Sequence, residues 1–103
     1  MNKARQAQRV KLTCEVDFRR HGDARFVVDL FDLSPQGCCI SPPVRVYPGE
    51  SVWIRVPGME AIHAEVAWVE EWRVGLEFDR AFHPAVFDHV VARLSAPPPA
   101  SAS

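Results

Sequence analysis

From Val10 to Phe18 the chain alternates apolar and polar side chains without a break. Val10, Leu12, Cys14, Val16 and Phe18 fall on one parity; Lys11, Thr13, Glu15 and Asp17 fall on the other. A period of two places the first set on one face of a pleated strand and the second on the opposite face. The stretch therefore fits a half-buried β-strand and not an amphipathic helix. The same reading extends along the chain. Arg19-Arg20-His21-Gly22-Asp23 is polar and glycine-containing, so it predicts a turn. Arg25 to Leu33, rich in Phe and Val, predicts a second strand, and Ser34-Pro35-Gln36-Gly37 a second turn. Cys38-Cys39-Ile40 is a short third strand, closed by Pro42 and Pro43 because proline cannot donate to a ladder. Pro48-Gly49 and Pro57-Gly58 are turn signals on either side of Ser51–Val56. Ile62–Val69 and Trp72–Phe78 alternate about a bend at Glu70-Glu71.

About six short, regularly spaced strands predict an all-β domain, either an antiparallel barrel or a sandwich. Trp53, Trp68, Trp72 and Phe78 are assigned to its core. The last element has a different period. Val86, Phe87, Val90, Val91 and Leu94 form a helical stripe, with Pro84 where a first-turn proline is tolerated. Residues 95–103, rich in Pro, Ala and Ser, cannot build a core and are read as a disordered tail. At 103 residues and 48% hydrophobic composition the chain fits one domain. That domain spans 10–94, behind an arm at 1–9.

Several function classes are disfavoured. There is no apolar run long enough to span a bilayer, and the N-terminus lacks the apolar stretch of a secretory signal. These features point to a cytoplasmic protein without membrane insertion. Cys14, Cys38 and Cys39 form no Cys-x-x-Cys pair and share no metal-ligand spacing with the four histidines, so neither a metal nor a cofactor is expected. No nucleophile elbow, glycine-rich phosphate loop or zinc-binding His-Glu-x-x-His is present, and an enzyme is not expected. A net charge of -1, with an acidic barrel segment and core-facing tryptophans, argues against a nucleic-acid polymer as partner.

The net charge conceals an asymmetry. Residues 1–25 carry seven basic and three acidic side chains; the remainder carries five and ten. Two short motifs stand near this basic region. Arg5-Gln6-Ala7-Gln8-Arg9 places two guanidinium groups just before the first strand, and Asp32-Leu33-Ser34-Pro35-Gln36-Gly37 lies between the second and third. Arginine forks match phosphate oxygens and the O6/N7 edge of guanine. A carboxylate accepts from the opposite guanine edge, a hydroxyl can bond base or phosphate, and glycine admits close approach to the backbone. Together these groups fit an anionic guanine nucleotide.

In these two motifs, and in Ala64-Glu65-Val66-Ala67-Trp68 followed by Arg73-Val74-Gly75-Leu76-Glu77-Phe78, the chain resembles the bacterial PilZ domain family, receptors for cyclic di-GMP. The resemblance spans roughly Arg5 to Leu94. It implies a six-stranded antiparallel β-barrel with one C-terminal helix. It also implies a ligand site in which Arg5 and Arg9 clamp phosphate and guanine, Asp32 and Ser34 hold the other guanine edge, and Gly37 admits the ligand. Gly75 matches a recurring family glycine. Many members carry a further Arg before the paired-Arg motif, associated with a stacked pair of ligand molecules; Ala4 stands there in this chain, which points to one molecule per site. The reading is a switch: ligand orders the arm, and the new surface signals to a downstream protein, with the receptor itself a monomer or weak dimer. The alternative is a PilZ-like adaptor that binds protein and no nucleotide.

Overall fold

The computed structural model describes residues 9–95. It contains β1 (Val10–Arg20), β2 (Phe26–Ser34), β3 (Gly37–Ser41), β4 (Ser51–Arg55), β5 (Ile62–Glu70), β6 (Arg73–Phe78) and one helix, α1 (Pro84–Ser95). Arg5 and the rest of 1–8, with 96–103, lie outside the described residues, so the assignments of an arm at 1–9 and a tail at 95–103 fall there except at Arg9 and at Ser95, which is the last residue of α1 and not part of a disordered tail.

The six strands close into an antiparallel barrel in the order β1-β2-β3-β6-β5-β4, which decides between the two sheet architectures left open by the sequence. Closure depends on the length of β1. It pairs with β2 from Val10 to Phe18, and its last residues, Asp17 to Arg20, also pair with β4. A closed sheet has no exposed edge and leaves no ladder groups unpaired. The parity read from β1 holds: Val16 and Phe18 are at most 1% exposed, and they face Leu30, Ile54 and Val66 in a continuous apolar core.

Helix α1 packs against β1 and adds to the barrel core. Phe87 and Val90 are its buried residues. Pro84 opens it at a position where the missing N–H costs nothing, and the His83 Nδ1 accepts from the Ala85 N–H at 3.2 Å. At the far end, Arg93 Nε donates to the Pro57 carbonyl at 3.1 Å, tying the last turn to the β4–β5 loop. The segment before the helix is pinned to the β2–β3 turn by Phe82 N–H to Pro35 O at 2.8 Å.

Three register shifts interrupt the pairing; the one in β1, between Lys11 and Cys14, leaves its inward side unchanged, and the other two break simple alternation. Against β3, Leu30 pairs with Ile40 and Asp32 with Cys39, so Phe31 is extra. Against β6, Val66 pairs with Leu76 and Trp68 with Gly75, so Ala67 is extra. Each bulge inserts one residue and reverses the parity beyond it.

That reversal corrects the assignment of the tryptophans to the core. Trp68 is 41% exposed because the Ala67 bulge turns it outward, and Trp72, in the β5–β6 hairpin, is 56% exposed. Trp53 is half-buried on the outer face because Val52 and Ile54 take the inward positions of β4. Phe78 is in the core as expected, at 6% exposure.

Candidate ligand-binding site

The Asp-x-Ser-x-x-Gly stretch folds into the end of β2, a tight turn and the start of β3. Leu30 and Leu33 are both buried although two residues separate them. The bulge makes this possible and leaves Phe31 and Asp32 side by side on the outer face. Arg9, just ahead of β1, reaches Asp32: its Nη1 lies 3.5 Å from both carboxylate oxygens. Both partners stay in contact with solvent, so the pair contributes at most about 1 kcal/mol and can be exchanged for another ion.

Ser34 closes the turn. Its Oγ accepts from the N–H of Gly37 at 3.2 Å and of Gln36 at 3.3 Å, and lies 3.4 Å from the Gly37 carbonyl. A hydroxyl so engaged shapes the turn. Gly37 is likewise required by the protein itself. A Cβ built there would overlap the Leu76 carbonyl oxygen of β6, so no side chain fits while β3 and β6 pair.

Beyond the turn lies a recess of about 210 Å³ lined by Arg9, Ser34, Gly37, Cys39, Trp68 and Gly75, among others. Gly75 is its floor and Trp68 its wall. The indole rests across the glycine, where a Cβ would overlap Cε2 and Nε1 of the ring. Cys39 pairs with Gly75 on one side and with Asp32 on the other. Its thiol is pushed above its ordinary value by burial and by the Asp32 carboxylate, while Arg73 and Arg9 act in the opposite sense.

Arg9, Asp32, Ser34, Gly37 and Gly75 therefore gather on one face of the barrel, although β2 and β6 are far apart in sequence. Arg5 lies outside the described residues. Two residues were not singled out for this face from the sequence. Trp68 reaches it through the Ala67 bulge, which leaves no signature in a single sequence. Arg73 reaches its margin because β6 inserts beside β3. Its guanidinium lies 4.6 Å from the Phe31 ring centroid and 5.0 Å from that of Trp72.

The result is a closed barrel whose outer face carries a shallow, glycine-floored recess bordered by an arginine, a carboxylate and an indole. This architecture suits capture of a small ligand. Comparison with known proteins agrees with that class. The PilZ domain family model matches residues 3–94, and the chain belongs to the PilZ domain family. Two solved structures share the fold. The crystal structure of the PilZ domain of CeSA from a cellulose-synthesizing bacterium superposes with a TM-score of 0.58 at 18% identity, covering 84% of this chain and 93% of that one. The Bacillus subtilis inhibitor of motility, MotI/DgrA, superposes with a TM-score of 0.60 at 16% identity, covering 82% of this chain and 48% of that one. No curated protein matches the chain. No helix among the described residues is long and apolar enough to cross a membrane.

Proposed function

We propose that this chain is a cytoplasmic receptor for cyclic di-GMP that signals to a partner protein. The observation that carries the reading is the Arg9–Asp32 pair at the edge of a recess that Arg9 lines together with Gly37, Trp68 and Gly75 on a closed barrel. Asp32 would accept from the N1–H and N2–H₂ edge of a guanine, while Arg9 takes a phosphate or the O6/N7 edge. Trp68 offers an exposed ring for the base to stack on. Gly75 seats the indole close against the strand, and Gly37 lets β3 pass the Leu76 carbonyl, so both glycines shape the recess.

Arg9 is paired with Asp32, and ligand binding would exchange this weak pair for stronger ones. Charge-assisted bonds contribute roughly 1.5–3 kcal/mol each. Arg5, four residues ahead, would close over the opposite side of the ligand. Ordering backbone costs about 1–2 kcal/mol per residue, so several such bonds are needed to fix the arm. The ordered arm then presents the surface read by the partner.

Titration calorimetry with cyclic di-GMP, using GTP and single-stranded DNA as controls, tests the reading. Saturable binding of cyclic di-GMP alone is expected, lost on deletion of residues 1–9 while the barrel keeps its melting temperature. Absence of binding to the intact chain would leave the nucleotide-independent adaptor.

A further inference from the structure

We propose that the site has a second lobe beyond Asp32, in which Arg73 and Lys11 take one phosphate and Phe31 supports the guanine beside it. This rests on cyclic di-GMP being the ligand and assigns which half of it each lobe holds.

The first argument is room. Sites for small molecules run to about 300–1,000 Å³. The recess beneath Trp68 has about 210 Å³, too little for a ligand with two guanines and two phosphates. On the other side of Asp32 lies a second hollow of about 260 Å³, lined by Lys11, Leu12, Thr13, Phe31, Asp32 and Arg73. Arg9 lines the first hollow and Asp32 the second, so their ion pair stands between the two. A ligand that draws Arg9 away from Asp32 opens one hollow into the other and brings the space into the usual range.

The second argument is the state of Arg73. Its guanidinium is held against two rings, Phe31 and Trp72, which themselves meet edge to face at 5.8 Å. A guanidinium attracted to ring faces in this way keeps N–H donors free for other acceptors. Among the described residues no carboxylate forms an ion pair with Arg73, and no acceptor takes a hydrogen bond from it. An immobilised arginine with open donors is organised for a bidentate anion, and little rotamer freedom remains to be lost on binding. Its influence on the Cys39 thiol, shared with Arg9 and Asp32, places it within electrostatic reach of the first lobe.

The third argument is symmetry of chemistry. The first lobe offers one exposed aromatic, Trp68, and one arginine, Arg9. The second offers Phe31 with Arg73 and Lys11. Each lobe thus pairs a ring with positive charge, and Asp32 lies where they meet. Cyclic di-GMP repeats one unit twice, a purine and a phosphate, and the two lobes match that repetition.

The test compares the whole ligand with half of it. Affinities for cyclic di-GMP and for 5′-GMP are measured by calorimetry on the intact chain and on Arg73→Gln, Arg73→Lys and Lys11→Gln, with melting temperatures alongside. Arg73→Gln is expected to weaken cyclic di-GMP binding at least tenfold and to leave 5′-GMP, held in the first lobe, within twofold. Arg73→Lys keeps the charge without the planar fork and should fall between. Parent-like cyclic di-GMP affinity in both Arg73→Gln and Lys11→Gln would overturn the second lobe while the receptor reading stands. An equal loss for both ligands would overturn it too, since Arg73 would then serve the first lobe. If Arg73→Gln does not fold, Lys11→Gln decides alone. Absence of cyclic di-GMP binding to the parent chain would remove the receptor reading itself.

Discussion

The indole of Trp68 lies across the backbone of Gly75 so closely that a Cβ on Gly75 would overlap the ring atoms Cε2 and Nε1. Neither residue is in the barrel core through its side chain. The pair exists because a bulge at Ala67 puts Trp68 opposite Gly75 on the outer face, where a glycine leaves a strand surface bare.

Gly75→Val should displace the indole from its seat. Cyclic di-GMP affinity is expected to fall at least tenfold, as it should in Trp68→Ala, where a base would lose stacking worth about 1–3 kcal/mol. Calorimetry on both variants checks this. Their circular dichroism should remain that of a folded barrel, because the ring is substantially exposed and lies outside the core.

Gly37→Ala behaves differently. The atom in its way is the Leu76 carbonyl oxygen, part of the β3–β6 ladder and unable to swing aside. Forcing a methyl group into that contact should cost about 1–3 kcal/mol of stability, visible as a lowered urea midpoint. Ser34→Ala, which leaves the N–H groups of Gln36 and Gly37 without their acceptor, should lower it by about 1 kcal/mol.

Asp32→Ala separates function from stability. Its ion pair with Arg9 is solvent-accessible and contributes at most about 1 kcal/mol, so the melting temperature should hardly move. Cyclic di-GMP affinity should nevertheless drop about tenfold or more, from loss of one charge-assisted contact of roughly 1.5–3 kcal/mol. Parent-like affinity in this variant would exclude Asp32 from the site.

The three thiols predict a fall in stability on the alkaline side. Cys14, Cys38 and Cys39 are all raised above the ordinary value of 9.0, first of all by burial. Nearby Asp29 adds to the effect on Cys14, and Asp32 on the other two. Above that pH the unfolded chain releases thiol protons that the folded chain retains, and mass action favours unfolding. The contribution is therefore fully present below about pH 9 and lost as pH rises past it. Urea midpoints measured between about pH 8 and pH 10 should decline, and less steeply in Cys38→Ala. In the native state at neutral pH all three thiols should react slowly with a thiol-specific disulfide reagent.

The alternation from Val10 to Phe18 and the helical stripe ending at Leu94 are legible because burial obeys a fixed period in each element. Proline and glycine pairs mark most turns for an equally local reason. Trp53 is a plainer miss: in an alternating run either parity can face inward, and Val52 and Ile54 fill the interior more compactly. The candidate site is legible to the extent that its residues lie in contiguous motifs, as Arg9 does, and Asp32 through Gly37. Trp68 was visible but placed on the wrong side, and Arg73 could not be assigned a role.

Six strands, one helix, the buried side of β1 and two motifs whose chemistry suits a guanine nucleotide are readable from the chain alone. The tertiary structure decided that the sheet closes into a barrel, that β6 lies beside β3, and that two bulges turn Phe31 and Trp68 outward. Periodicity is set between neighbours in the chain and can be read from one segment. A bulge depends on what the partner strand offers opposite it, here Gly75 and Cys39, and becomes visible only once the strands are paired.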